Sequence, residues 1–193
     1  MSPIEQLQAF IQPLGPLKGK EWEAFAAVWV PLECKRKTIL TAAGETERHL
    51  YFVLDGLQRA YYIGDDNQEG TIVFTYPPSF SGVADSFLTQ TPSKYFFETL
   101  TTSNFLKTSY KQVETLMLEY PGIQAMILKT TAFALKGVLE RQIELQCFSA
   151  EEKFRTLLKR SPHVLQIIPH KYLASYLGID PATFSKLLSS KRI

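Results

Sequence analysis

The chain has 193 residues and a mass of 21.9 kDa, with 45% hydrophobic and 21% charged side chains; it is long enough to bury a sizeable core, which excludes disorder as its main description. No apolar run approaches the roughly 18 residues of a membrane span, Met1-Ser2-Pro3-Ile4-Glu5 lacks the basic and apolar regions of an export signal, and Cys34 and Cys147 stand alone, without disulfide or cluster spacing. The net charge of +2 hides an uneven split: residues 151–193 carry eight Lys or Arg against three acids, and residues 1–150 carry 13 against 16, so an anionic partner is expected at the tail of a soluble, cytoplasmic protein.

In chain order, Ile4, Leu7, Ile11 and Leu14 recur at helical spacing up to Pro13-Leu14, and Trp22, Phe25 and Trp29 mark a second helix. From Cys34 the period changes. Leu50–Leu54, Ala60–Ile63 and Thr71–Phe74 are rich in β-branched and aromatic residues and lie between the turn signals Ala43-Gly44, Asp55-Gly56, Gly64-Asp65-Asp66-Asn67 and Pro77-Pro78. With a further pair at Tyr95–Leu100 and Asn104–Ser109, this spacing predicts an antiparallel sandwich or barrel.

After Tyr110 the helical period returns. Residues 122–148 contain no proline and carry two apolar stripes: Ile127, Thr131, Ala134, Val138 and Leu145 on one, and Leu128, Leu135, Leu139 and Ile143 on the other. A helix with two apolar stripes packs on its own domain and on a second surface, so the first stripe is assigned to a dimer seam. A short helix from Ala150, a break at Ser161-Pro162 and a final helical pair follow. The fold class is α+β, divided at residues 1–121, 122–148 and 149–193.

The helical pair is the most informative segment. Pro169 opens the first helix, small Ala174 permits a close crossing, and Gly178 ends the helix in a tight turn. Asp180 caps the next helix, with Pro181 at its first position. Leu173, Leu177, Ile179, Phe184 and Leu187 face one another across the pair. These are the parts of a helix-turn-helix, whose second helix enters the DNA major groove. Thr183, Ser185 and Lys186 on that helix, Lys171 on the first, and Lys191 and Arg192 beyond are the expected DNA contacts, the cations mostly at phosphates.

Nearly the whole chain resembles the Crp/Fnr family of bacterial transcription regulators. Leu50-Tyr51-Phe52-Val53-Leu54-Asp55-Gly56 with Arg59 is similar to the strand pair of the family's cyclic-nucleotide-binding β-roll, Gly44-Glu45 to the preceding turn, and Phe80-Ser81-Gly82 to the approach to its phosphate-binding cassette. The resemblance implies N-terminal helices on an antiparallel β-roll of the jelly-roll type, a dimerisation helix and a C-terminal helix-turn-helix. It also implies a homodimer on near-palindromic double-stranded DNA, with RNA polymerase as a further partner and no enzymatic activity.

Departures from the family pattern bear on the effector. Cyclic nucleotides need a Glu beside the cassette glycine and a later Arg-Ser pair; here Val83 follows Gly82, and Ser93-Lys94 stands at the second place. Val accepts no hydrogen bond and Lys lacks the bidentate fork of Arg. Losing two charge-assisted contacts costs about 3–6 kcal/mol, so neither cyclic AMP nor cyclic GMP is expected to bind. The degenerate pocket is assigned to Gly82, Val83, Ser93, Lys94, Tyr62 and Phe74; either Lys94 supplies a point charge for another anion or an apolar acid, or Tyr61, Tyr62, Phe74 and Phe80 fill the site. No cofactor is expected: the cysteines of an iron–sulfur sensor are missing, and His49 reads as an exposed residue of a strand-edge turn. A metal-dependent cupin fails on ligand count, because His163 and His170 lie in the helical tail. The chain stops at Ile193, so the family's wing is expected to be missing or very short. The competing reading is a ligand-sensing or protein-binding β-roll module that has lost DNA binding, since the base-reading positions lack the Arg and Glu of the best-known members.

Overall fold

A computed structural model describes residues 1–190. Helices α1 (Pro3–Ile11) and α2 (Lys20–Ala27) precede strands β1 (Val30–Cys34), β2 (Ile39–Thr41), β3 (His49–Asp55), β4 (Gln58–Ile63), β5 (Glu69–Thr75) and β6 (Ser79–Ser81). A short α3 (Ala84–Thr89) leads into β7 (Phe96–Thr99) and β8 (Ser103–Ser109). The rest is helical: α4 (Tyr110–Glu119), the 27-residue α5 (Pro121–Cys147), α6 (Ala150–Arg160), α7 (Val164–Ile167), α8 (His170–Leu177) and α9 (Pro181–Ser190). The strands form two four-stranded sheets, ordered β1-β8-β3-β6 and β2-β7-β4-β5. The α+β class and the positions of β3, β4, β5, β7 and β8 agree with the sequence reading; β1, β2, β6 and α3 are additions to it, and Trp29 lies just beyond the end of α2. The chain divides into two compact units, Met1–Ala60 with Phe74–Ala134, and Tyr61–Val73 with the chain from Leu135 onward.

The first unit is organised by β3, which is buried on both faces because strand side chains alternate. Phe52 points to one side, into a cluster with Leu7, Ile11, Phe25, Trp29, Leu106, Ile123 and Met126 from the helices, the α2–β1 link and β8. Tyr51 and Val53 point to the other, packing with Cys34, Ala60, Val83, Phe97 and Phe105 inside the roll. The β3–β4 turn needs Gly56: its φ is +93°, and an added Cβ would collide with the Ser103 hydroxyl and the Thr102 carbonyl.

In the second unit, Ser149 and Glu152 cap α6 reciprocally. The Ser149 N–H donates to the Glu152 carboxylate (2.8 Å), and the Glu152 N–H donates to Ser149 Oγ (3.3 Å). Phe154, Leu157, Val164, Ile168, Leu173, Ala174, Leu177 and Phe184 form its buried core. The one-turn α7 adds an element to the expected break and helical pair; Pro162 and Pro169 bound it closely on either side. Strand β5 is tied to α8, as the Thr71 N–H donates to Ser175 Oγ (2.9 Å), which donates to the Glu69 carbonyl (3.0 Å).

Candidate nucleic-acid interface and effector site

The α8–α9 pair carries the local chemistry expected of it. Gly178 adopts the left-handed conformation (φ 61°), and its N–H donates to the carbonyls at the end of α8. Asp180 Oδ1 accepts from the N–H groups of Ala182 (2.7 Å) and Thr183 (3.3 Å), capping α9. Pro169 is the N-cap residue of α8 rather than its first helical residue. Phe184 turns inward, edge-on to Phe154 with 5.4 Å between ring centroids. That leaves the opposite face of α9 to solvent, with Ser185 and Lys186 exposed and Thr183 half-buried. The Ser185 hydroxyl donates back to the Pro181 carbonyl (2.9 Å), so toward an outside group it is an acceptor. Lys171 is exposed, its ammonium 4.7 Å from the centre of the Tyr172 ring. Lys191 and Arg192 lie outside the described residues.

In the first unit, Gly82 has a φ of +120° and leads into Val83, which is buried in the roll core. Ser93, assigned to the same pocket, already serves the fold. The Ser93 N–H donates to the Glu45 carbonyl (2.8 Å), its carbonyl accepts from Gly44 (2.8 Å), and its hydroxyl is bonded to the Tyr95 backbone. Lys94 is exposed and Phe74 half-buried; Tyr62 is exposed and belongs to the second unit. Phe80 corrects an expectation. It packs against Phe10, Phe52 and Trp29 on the helix-covered side, while neighbouring Ser81 points the other way and shares a 2.6 Å hydrogen bond with Thr75. The buried aromatics that cluster with Val83 inside the roll are Tyr51, Phe97 and Phe105, with the half-buried Tyr95 packed against them.

Sequence reasoning missed Glu47. Its fully buried carboxyl accepts from the Thr41 hydroxyl (2.6 Å), the His49 N–H (3.0 Å) and the Val83 N–H (3.4 Å), and it lies against Gly82. Burial pushes this carboxyl above its usual range, against the pull of those donors. Burial also raises the Tyr51 hydroxyl, helped by the negative charge of Glu47. No spacing rule marks Glu47, because its surroundings come from Thr41 on β2 and from Val83 and Ser86 at the start of α3. His49 lies within β3, half-buried rather than in an exposed turn, and burial with the nearby Lys107 charge lowers its pKa. Among the described residues, no three His, Cys, Asp or Glu side chains are grouped as a metal site.

Helix α5 divides the expected dimer stripe. Ile127 is buried in the core of the first unit with Ile123 and Met126, so it does not belong to a seam. Thr131 is half-buried, its hydroxyl donating to the Ile127 carbonyl (2.9 Å). Ala134, Val138 and Leu145 are exposed, and so are Leu128, Leu135, Leu139 and Ile143 of the neighbouring stripe. Helical periodicity identifies two apolar faces but not which of them the same chain covers. Among the described residues, no helix is long and apolar enough to cross a membrane.

Comparison with known proteins places this geometry. Residues 31–120 match the model of the cyclic nucleotide-binding domain. No curated protein matches the chain in sequence. Among solved structures, FixK2 from Bradyrhizobium japonicum superposes with a TM-score of 0.76 at 16% identity, covering 84% of each chain. CLP from Xanthomonas campestris, a c-di-GMP-responsive global regulator, gives 0.65 at 17% identity, over 88% of this chain and 89% of its own. A protein from Eubacterium rectale assigned to the Crp/Fnr family gives 0.70 at 14%, over 90% and 83%. The chain therefore contains a domain of the cyclic nucleotide-binding family at residues 31–120 and has the fold of the Crp/Fnr regulators.

Proposed function

We propose that the chain is a sequence-specific DNA-binding transcription regulator that acts as a homodimer in the cytoplasm, and that its β-roll binds neither cyclic AMP nor cyclic GMP. The α8–turn–α9 segment is the observation that carries this reading. Its capped, glycine-ended turn and inward Phe184 leave a polar helix face with Lys186 open to an anionic partner. In this reading residues 1–121 are the sensor, 122–148 the dimerisation helix and 149–193 the DNA reader, with RNA polymerase as a further partner. The uncovered apolar residues of α5 supply the dimer seam, and two recognition helices about 34 Å apart address successive major grooves. In the β-roll, the Val83 N–H beside Gly82 is directed at the buried Glu47 carboxyl, which lies against Gly82, and Ser93 is bonded to the Tyr95 backbone, so these groups are engaged within the fold and a carboxyl stands where an anionic ligand needs donors.

Salt dependence tests the interface. Each protomer contributes one Lys186, so Lys186→Ala in the dimer removes two phosphate contacts. The slope of log affinity against log salt then falls by about 2, at about 0.9 per contact. Fluorescence anisotropy on a bound duplex between about 50 and 200 mM salt reads this directly. An unchanged slope removes Lys186 from the phosphate contacts.

A further inference from the structure

Four residues of the second unit join α5 to α6 and α8 through an ionic cluster that no sequence motif marks. Glu144, near the end of α5, is buried, and so is Arg141 one turn earlier. The Glu144 carboxylate accepts from Arg141 Nη1 (2.9 Å) and, in a forked pair, from Arg160 Nη1 (2.9 Å) and Nη2 (3.2 Å) at the end of α6. The second guanidinium nitrogen of Arg141 donates to the Tyr176 carbonyl on α8, and its guanidinium carbon lies 4.1 Å from the centre of the Tyr176 ring. Burial alone would raise the Glu144 pKa, but hydrogen bonds and charge from Arg160 and Arg141 outweigh it and hold the carboxyl below its usual range.

An ionic triad with Arg141 and Glu144 buried and Arg160 at its exposed rim is a poor way to gain stability, because desolvation of the buried ions offsets most of their attraction. What it supplies is direction. A guanidinium fork accepts only a narrow range of carboxylate positions, and the Tyr176 carbonyl is one of the last four of α8, which have no intrahelical donor. Arg141 therefore grips α8 by its C-terminal end, while Glu144 holds Arg141 and Arg160 in place. The turn after α8 is just as close, since a Cβ at Gly178 would lie 3.3 Å from Leu145 of α5.

We infer that Glu144 is the positioning residue of the DNA reader: through Arg141 and Arg160 it sets the angle of α8 and α9 against α5, and thereby the half-site spacing that the dimer selects. The inference rests on reading α8–α9 as a DNA reader. Two measurements on the full chain separate the two claims. The first needs no DNA: spin labels at Lys136→Cys and Ser189→Cys, in a background without the native cysteines and diluted with unlabelled chain, report the distance between α5 and α9. A narrow distribution is expected, broadened in the apolar triple variant Arg141→Met/Glu144→Leu/Arg160→Met, and in Glu144→Gln should the triple variant unfold. The second compares duplexes whose half-sites are moved by one base pair. The parent chain is expected to lose about tenfold or more in affinity, and the variant much less, at an unfolding midpoint close to the parent's. An unchanged distance distribution, or undiminished spacing discrimination in a folded variant, overturns the inference. A parent chain with a narrow distribution that binds no duplex sinks the DNA-reader reading and leaves the joint standing.

Discussion

Replacing Val138 with Glu is expected to leave a folded monomer that binds a palindromic duplex at least about a hundredfold more weakly than the parent chain. Val138 is 61% exposed on α5, beside Leu135, Leu139 and Ile143, which are also more than half exposed. Side chains of this size stabilise by about 1.5–3 kcal/mol each when fully buried. A helix that presents four of them in two turns gains most of that on meeting a second copy. A carboxylate in the seam forfeits the gain at its own position and is left without a partner in an apolar setting. The single chain scarcely notices, because the position faces solvent there. Weaker DNA binding follows from geometry: two linked half-site contacts exceed one by about 10²–10⁴-fold through effective concentration alone. Sedimentation velocity and anisotropy measure the two effects on one sample. A variant that sediments like the parent chain contradicts the assignment of the seam.

The second large effect is in the β-roll. Glu98→Ala is expected to destabilise the first unit by about 3–5 kcal/mol, the usual cost of removing one partner from a buried ion pair. Arg59 Nε donates to Glu98 Oε1 at 2.6 Å, and the two side chains are 3% and 10% exposed. With the carboxylate gone, the guanidinium keeps its charge, because Arg does not deprotonate. The double change Arg59→Met/Glu98→Leu is expected to cost much less, since both charges leave together. Urea denaturation of the full chain, followed by the fluorescence of Trp22 and Trp29 in the first unit, supplies the comparison. If Glu98→Ala costs under about 1 kcal/mol, the pair is not a folding element.

The contrast between these positions shows what the sequence alone could reveal. The turn at Gly178, Asp180 and Pro181 was legible because each residue acts on its own backbone within three positions, and the structure shows those caps. The strands were legible from β-branched and aromatic runs between glycine and proline turns. Arg59 was visible as part of a strand-pair motif, yet its partner Glu98 lies 39 positions away and no local rule connects them. Ile127 and Val138 look alike on a helical wheel; only the packing of Ile127 against the N-terminal helices separates the core from the candidate seam. Phe80 was misplaced because a three-residue strand offers too little alternation to show which face it presents. Glu47, Glu144 and Arg160 carry charge that sequence reading assigns to the surface. The burial of Glu47 and Glu144, and the pairing of Arg160 with Glu144, are products of the tertiary fold.

Sequence-specific DNA binding that does not depend on cyclic AMP is tested by selecting bound duplexes from a random pool with this chain, with and without the added nucleotide. One enriched palindrome with half-site centres about one helical turn apart is expected, recovered equally in both arms. No enriched sequence, or enrichment only when cyclic AMP is present, would contradict it.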